Sequence, residues 1–307
     1  MTGPSAIRSP HAAGLLFAVL SAFGFALKAI FVKLGLAQGG DAITLLALRM
    51  GFSLPMFLVL AWMTGARGLS LRDWLALAVL GLLGFYLSSL FDFLGLQYIS
   101  VGLERLILFL YPTLVLLFSA LFLRHPVDAR VLVALALSYA GIALALGHDL
   151  RAVGDVGDVV TGSLWVFASA TTFAIYFIGA GRVVARVGAL RLTAYASTFA
   201  CLFTIGHFLA VRPLSALVLP PTAYLVVLGL AVFSTLLPIW FQAEAIRRVG
   251  ATTASLVGTI GPVLTIGLGW LVLDEPVSAV QLAGAALVVA GVVAAGRGGT
   301  LPVPSRR

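Results

Sequence analysis

The sequence predicts an all-α integral membrane protein with ten transmembrane helices, arranged as two inverted five-helix repeats. Three observations lead to this prediction. The chain of 307 residues is 61% apolar and only 10% charged. Its apolar residues fall into ten stretches of membrane-spanning length. Its second half repeats features of its first half, as in many transporters.

The composition determines the class of protein. An ordinary soluble domain is about 45–50% apolar and about 25% charged, so this chain could not cover its surface with polar groups, whereas lipid accepts an apolar exterior. The net charge of +8 does not indicate a nucleic-acid partner, because the basic residues stand singly between apolar stretches. The single cysteine, Cys201, excludes an intrachain disulfide and a cysteine-rich metal site.

Ten apolar stretches justify the helices in chain order. A helix that crosses about 30 Å of hydrocarbon needs about 20 mostly apolar residues, and turn residues such as Pro220-Pro221 separate the stretches. The first stretch continues past Lys28 without a small-residue cleavage site, so it is interpreted as a span and not as a signal peptide. The predicted spans are residues 12–34, 42–63, 74–97, 102–123, 130–147, 160–182, 189–210, 222–246, 251–273 and 278–295.

The basic residues orient these spans. Cytoplasmic loops of membrane proteins are enriched in Lys and Arg. With the N-terminus inside, thirteen basic residues fall in cytoplasmic segments, and only Lys33, Arg105, Arg151 and Arg212 fall on the opposite side. Both the N-terminus and the C-terminus are therefore predicted to lie in the cytoplasm.

A shift of about 148 residues lays the second half of the chain on the first. After a slip of two residues, Pro112 and Pro126 coincide with Pro262 and Pro276. The predicted domains are residues 1–148 and residues 149–307, each one five-helix repeat. Because five is odd, the copies are inverted across the membrane, an architecture that lets one central site face either side in turn. The alternative is a duplicated bundle that only packs well.

Several motifs are similar to those of a known family. They are the Tyr111-Pro112 and Gly261-Pro262 interruptions, the Asp274-Glu275-Pro276 turn and the Gly-rich last span. Together with the ten-span duplication they resemble the EamA-type members of the drug/metabolite transporter superfamily, and among these most of all the YddG-type bacterial amino-acid exporters. The resemblance implies a multi-pass protein of the cytoplasmic (inner) membrane, a central cavity between the halves and export of small metabolites. Spans 1 and 6 lack the carboxylate that small multidrug-resistance relatives use for proton exchange.

Two prolines within spans mark the first candidate site. Pro112 and Pro262 lie near the middle of spans 4 and 9, where each removes a backbone donor and frees the carbonyl four residues earlier, at Leu108 and Gly258. Matching interruptions in the two halves are the best sequence indication of a transporter site. The alternative is a packing kink that neighbouring helices accommodate.

Polar and aromatic side chains at helical spacing are further candidates for substrate binding. On spans 1 and 6 they are Ser21, Phe25, Lys28, Ser169, Phe173 and Tyr176. These side chains line either the cavity or a helix interface, and both interpretations stay open. Elsewhere in the chain the candidates are Tyr86, Tyr111, Trp240 and Gln242.

Three ionisable residues lie deep inside predicted spans, at a similar distance from the outer ends of these spans. Lys28, Arg49 and Asp92 are functional candidates because a charge in the membrane costs at least about 2.5–3.5 kcal/mol. They form an outer gate or a polar anchor for a zwitterion. The alternative is a static salt bridge, or bases that extend to the near interface.

The combined prediction is an exporter of small amphipathic metabolites, with neutral and aromatic amino acids as its substrates. A drug or organic-cation exporter is the alternative among transporters, and an intramembrane enzyme is the alternative from another class. The four histidines lie in tails, in loops or alone in span 7, which argues against a catalytic pair or a metal cluster. The sequence therefore predicts no enzyme activity, cofactor or metal. The predicted partners are a small-molecule substrate and the lipid bilayer, and the oligomeric state is left between monomer and homodimer.

Overall fold

The computed structural model describes residues 10–123, 129–152 and 155–298, and within these ranges it contains helices and no β-strand. Nine of the helices in this part are long and apolar enough to cross a membrane. They are α1 (Pro10–Ala37), α2 (Ala42–Thr64), α3 (Leu71–Gly95), α4 (Val101–Leu121), α5 (Ala129–Ala152), α6 (Val156–Val187), α7 (Ala189–Val211), α8 (Pro221–Gly250) and α9 (Thr253–Leu273).

These nine helices confirm nine of the predicted spans. The last helix, α10 (Ala279–Gly298), has its apolar part over Ala279–Ala294. That part is shorter than the about 20 residues that a span needs. The count of ten spans therefore stays a prediction.

Some residues used for the orientation give no structural information. Arg8, Arg124, Arg306 and Arg307 lie outside the described residues, as does Pro126 of the repeat. The location of the termini therefore stays a prediction.

Local sequence signals explain where several helices begin and end. Asp41 caps α2 by accepting hydrogen bonds from the Ile43 and Thr44 N–H groups at 3.0 and 3.3 Å. Ser70 and Asp73 form a reciprocal capping box at the start of α3. Gly250, with φ of +82°, separates α8 from α9 in a conformation that favours glycine.

Helices from the two parts of the chain interleave. Helix α1, one of the first five, packs against α8 and α9 of the last five. Likewise α6, one of the last five, packs against α3 and α4 of the first five. The remaining major contacts pair α2 with α7, α3 with α7, α2 with α8, α4 with α9, and α5 with α10. The major packing pairs are therefore reciprocal: exchanging each helix for the one five positions later leaves the same pairs.

The irregular turns also recur. Within α3 a π-helical turn covers Leu82–Leu87, and within α8 another covers Val232–Leu236. The helix α4 is interrupted at residues 109–110 and α9 at residues 259–260. In each case the recurrence lies 150 residues further along the chain. Such turns open a helix locally and are frequent at functional sites.

One end of α4 is fixed by carboxylates from two other segments. The Ser100 N–H donates a 2.9 Å hydrogen bond to Asp149, and the Val101 N–H donates one of 3.1 Å to Glu275. Carboxylates at a helix N-terminus accept hydrogen bonds from its free N–H groups, and their negative charge interacts favourably with the helix dipole. Burial raises the pKa of Glu275, and the hydrogen bond from Val101 offsets part of that rise. These contacts fix where α4 begins and thus the position of its first turn.

Candidate functional site

Five ionisable side chains from four helices meet inside the bundle, and we call them the charge cluster. They are Lys28 of α1, Arg49 of α2, Asp92 of α3, and Glu104 and Arg105 of α4. Asp92 lies one turn before the end of α3, and Glu104 lies one turn after the start of α4. Apart from Lys28, whose side chain is 16% exposed, these residues are buried.

Lys28 is the centre of this cluster. Its Nζ lies 2.6 Å from Asp92 Oδ2 and 3.2 Å from Glu104 Oε1. One ammonium group therefore neutralises parts of two carboxylates, and the other oxygens, Asp92 Oδ1 and Glu104 Oε2, are buried without a hydrogen-bond donor. A buried carboxylate oxygen without a partner is costly, so this arrangement is held in place by the helices around it.

Arg49 lies next to this group but binds neutral partners. Its Nε donates to Thr235 Oγ1 at 3.1 Å and its Nη1 to Ser89 Oγ at 3.5 Å. Its guanidinium also lies 5.6 Å from the centre of the Phe93 ring. Of the three charges predicted at one depth, Lys28 and Asp92 form the ion pair, and Arg49 is anchored to the π-helical turn of α8.

Sequence reasoning missed the other two members. Glu104 is fully buried and Arg105 is 8% exposed, both within α4. Arg105, counted from the sequence as a base on the outer side, is therefore not a loop residue. The available signal was that the predicted span 102–123 already contained a Glu-Arg pair in its first turn, where an acidic group also complements the helix dipole.

Aromatic side chains from three helices form a second group, which we call the aromatic cluster. Tyr111 lies 5.1 Å from Phe173 and 5.8 Å from Phe177, measured between ring centres. Phe173 lies 5.5 Å from Tyr176, whose ring is 5.1 Å from Phe85. Offset and edge-to-face pairs at these separations are favourable. The structure therefore brings together three of the predicted candidates, Tyr111, Phe173 and Tyr176.

The two clusters adjoin on α4. Arg105 precedes the break at residues 109–110 and Tyr111 follows it. Both helix breaks lie immediately before Tyr111-Pro112 and Gly261-Pro262, so each proline occupies the second position of the helix piece that follows. Proline is well tolerated there, because that N–H has no partner within the helix.

Two of the candidate polar residues on spans 1 and 6, Ser21 and Ser169, form hydrogen bonds with neighbouring helices. The Ser21 hydroxyl lies 2.9 Å from both the Pro238 carbonyl and Gln242 Oε1. Ser169 donates a 2.7 Å hydrogen bond to the Ser88 carbonyl. Two interpretations were left open for these side chains, cavity lining and helix packing, and the contacts of the two hydroxyl groups agree with helix packing. The candidate Gln242 is the partner of Ser21 on α8.

The remaining candidates are dispersed. Tyr86 contacts the rings of Phe203 and His207. Trp240 is 57% exposed on the outside of the helices and packs edge-on against Phe17. Phe25 is half-buried on α1. The structure therefore brings none of these three into the charge cluster or the aromatic cluster.

A cleft of about 480 Å³ lies at the turns that join α1 to α2 and α3 to α4. Its polar lining includes Lys33, Asp41 and Gln97. Burial alone would raise the pKa of Asp41, but hydrogen bonds from Thr44 and the charge of Arg212 hold it below its ordinary value. Asp41 is therefore ionised at neutral pH, and the cleft presents charges of both signs.

The geometry suits a molecule with a charged group and an apolar body. The charge cluster offers buried charges of both signs, and the adjoining aromatic cluster offers ring surface. Within the described residues, no group of three or more His, Cys, Asp and Glu side chains is arranged to hold a metal ion.

Comparisons with known proteins agree on the type of protein. The profile of the EamA-like transporter family matches residues 12–147 and 160–297. The chain is 29% identical over 281 residues to the uncharacterized transporter YcbK of Bacillus subtilis, covering 89% of each chain. It is 28% identical over 212 residues to the threonine/homoserine exporter RhtA of Escherichia coli, covering 69% of this chain and 66% of RhtA. A solved crystal structure with 21% identity has a similar fold, with a TM-score of 0.58 over 93% of this chain and 98% of its own.

Proposed function

The chain belongs to the EamA-like transporter family, and from this premise we propose that it exports neutral amino acids, aromatic ones included, across the cytoplasmic membrane. The observation that carries the proposal is the arrangement of the two clusters along α4, where Arg105 of the charge cluster precedes the break at residues 109–110 and Tyr111 of the aromatic cluster follows it. An amino acid with an apolar side chain needs both kinds of surface. The similarity to RhtA, which is named a threonine/homoserine exporter, supports amino acids as the class, and the sequence resemblance to YddG-type exporters supports the aromatic ones.

The proposed mechanism is alternating access between two inverted five-helix repeats, with α10 as the tenth span. Three observations support it: the reciprocal packing of the helices, the recurrence of both kinds of irregular turn after 150 residues, and the two separate matches to one family profile. In this proposal the termini are cytoplasmic, and the breaks before Pro112 and Pro262 border the substrate site near mid-membrane. Each break exposes backbone groups that a substrate can bind.

Transport by the purified protein tests this function. Proteoliposomes are loaded with one compound, and counterflow of a labelled compound is measured for phenylalanine, leucine, threonine and a set of cationic dyes. We expect counterflow of amino acids, because a carrier with alternating access exchanges substrates, whereas a channel does not. Transport of dyes without transport of any amino acid would instead favour an organic-cation exporter. In such an exporter, the carboxylates of Asp92 and Glu104 would bind the cation.

A further inference from the structure

We propose that Arg105 binds a carboxylate group of the transported solute, at the place where α4 packs against the break of α9. This inference rests on the proposed function and deepens it, because it names the chemical group that a substrate must carry. It concerns a residue that the sequence patterns did not single out.

The charge balance of the cluster is the first argument. Three cations and two anions lie together, and both anions, Asp92 and Glu104, are taken up by Lys28. The other two cations have no carboxylate within 4.0 Å among the described residues: Arg49 binds hydroxyl groups, and Arg105 forms no salt bridge. Counted in their ordinary charge states, the five side chains therefore carry one positive charge in excess, and an anionic group would neutralise it.

The surroundings of Arg105 identify it as the free cation. The residue is 8% exposed, and its Nε is buried without a hydrogen-bond partner. Its guanidinium lies 5.5 Å from the centre of the Phe109 ring. Arg49, by contrast, already has two hydroxyl acceptors. A guanidinium removed from water without acceptors is unfavourable, so this group is poised for a ligand that supplies them.

A second feature at the same place also favours an anion. The piece of α9 that follows the break, Gly261–Leu273, begins with no side-chain cap. A Cβ atom built on Gly261 would lie 3.2 Å from Arg105 Nη2, so the guanidinium rests directly on the start of this helix. The N-terminus of a helix carries a partial positive charge. An anion at this position meets both the guanidinium and the helix end.

The chemistry of the ligand follows from the guanidinium group. The planar fork of a guanidinium matches the two oxygens of a carboxylate, with two parallel hydrogen bonds. Tyr111, on the far side of the α4 break, begins the aromatic cluster. A carboxylate bound at Arg105 would therefore place the rest of an amino acid toward aromatic surface.

The test compares an amino acid with its uncharged analogue in proteoliposomes. Wild-type protein, Arg105→Gln, Arg105→Lys and the exposed control Arg72→Gln are assayed with L-phenylalanine and L-phenylalaninamide. We expect the wild type and the control to prefer the acid, and Arg105→Gln to lower kcat/KM for the acid by at least about tenfold while the amide is unaffected. Arg105→Lys, which keeps the charge but not the fork, should be intermediate. An unchanged preference for the acid in Arg105→Gln would overturn the proposal.

A competition experiment on the wild-type protein needs no variant to fold. Uptake of labelled phenylalanine is challenged with 3-phenylpropanoate, which has the carboxylate but no amine, and with 2-phenylethylamine, which has the amine but no carboxylate. We expect 3-phenylpropanoate to inhibit the uptake of labelled phenylalanine. If 2-phenylethylamine inhibits this uptake and 3-phenylpropanoate does not, the carboxylate site is refuted. If wild-type protein transports no amino acid at all, the proposed function fails, and that result is distinct from transport without carboxylate selectivity.

Discussion

The two halves of the chain share a pattern of helices and differ in charge. Every residue of the charge cluster lies in the first half, and the position 148 or 150 residues later is uncharged in each case. The five pairs are Lys28 and Tyr176, Arg49 and Ser197, Asp92 and Gln242, Glu104 and Ala254, and Arg105 and Ser255. The two halves therefore share their pattern of helix contacts without sharing the charged residues inside the bundle.

The second half supplies apolar and aromatic surface where the first supplies charge. Tyr176, the counterpart of Lys28, lies in the aromatic cluster between Phe85 and Phe173. The Tyr176 ring approaches α3 so closely that a Cβ atom built on Gly84 would lie 2.3 Å from it. The π-helical turn of α3 and the absence of a side chain at Gly84 thus admit this ring. In the proposed function, this asymmetry gives the site one charged and one aromatic side.

The largest effect is expected from removing the centre of the charge cluster. Lys28→Met leaves Asp92 and Glu104 buried without a cation, and breaking a buried ion pair costs about 3–5 kcal/mol. Tyr176→Phe, at the matching position of the second half, should cost less than about 1 kcal/mol because ring packing is retained. Thermal unfolding of the purified variants in detergent measures both.

The same experiment has an internal control. Adding Asp92→Asn and Glu104→Gln to Lys28→Met removes the unpaired charges, so the triple variant should recover part of the lost stability. Equal stability of Lys28→Met and Tyr176→Phe would contradict the distinction between the two halves.

An intermediate effect is expected from the aromatic rings. Phe173→Ala opens the aromatic cluster, because Phe173 contacts Tyr111, Tyr176 and Phe177. We expect its KM for phenylalanine to rise about tenfold, in line with the large area that an aromatic side chain buries. Phe25→Ala, the matching change on α1, should raise it less. Initial rates of uptake give both values, and the idea is wrong if the two changes act equally.

The smallest effect concerns the start of α2. Its N-cap Asp41 accepts hydrogen bonds from the backbone, while the matching helix α7 begins at Gly188 without a side-chain cap. Asp41→Ala should therefore destabilise the protein by about 1 kcal/mol. Because the folded protein holds the pKa of Asp41 below its ordinary value, this contribution is present at neutral pH and is lost as the pH falls through that pKa.

Thermal unfolding at two pH values checks the last prediction. The wild type should exceed Asp41→Ala at neutral pH, and the difference should shrink below about pH 4. A difference that grows on acidification would show that the side chain acts by some means other than its ionised cap.

Much of the fold could be predicted because hydropathy and length act locally. Nine predicted spans agree with the helices of the structure within a few residues, and the breaks before Pro112 and Pro262 lie where the missing backbone donors place them. The pairing of Asp92 with a base at similar depth was also foreseen, since the depth of a residue follows from its position along the span.

The choice of partners depends on which helix faces meet, and only the tertiary structure decided it. Lys28 was one of two possible bases for Asp92, and its second carboxylate, Glu104, lies in the first turn of the predicted span 102–123, where sequence reasoning did not single it out. Trp240 has the residue type of a cavity aromatic but lies on an exposed face. The sequence by itself determined a membrane-embedded helical protein with charges in its first half, because burial in lipid selects composition and periodicity. The tertiary structure decided that Lys28 neutralises two acids and that Arg105 remains free beside Gly261, because contacts between residues far apart in the chain arise only when helices pack.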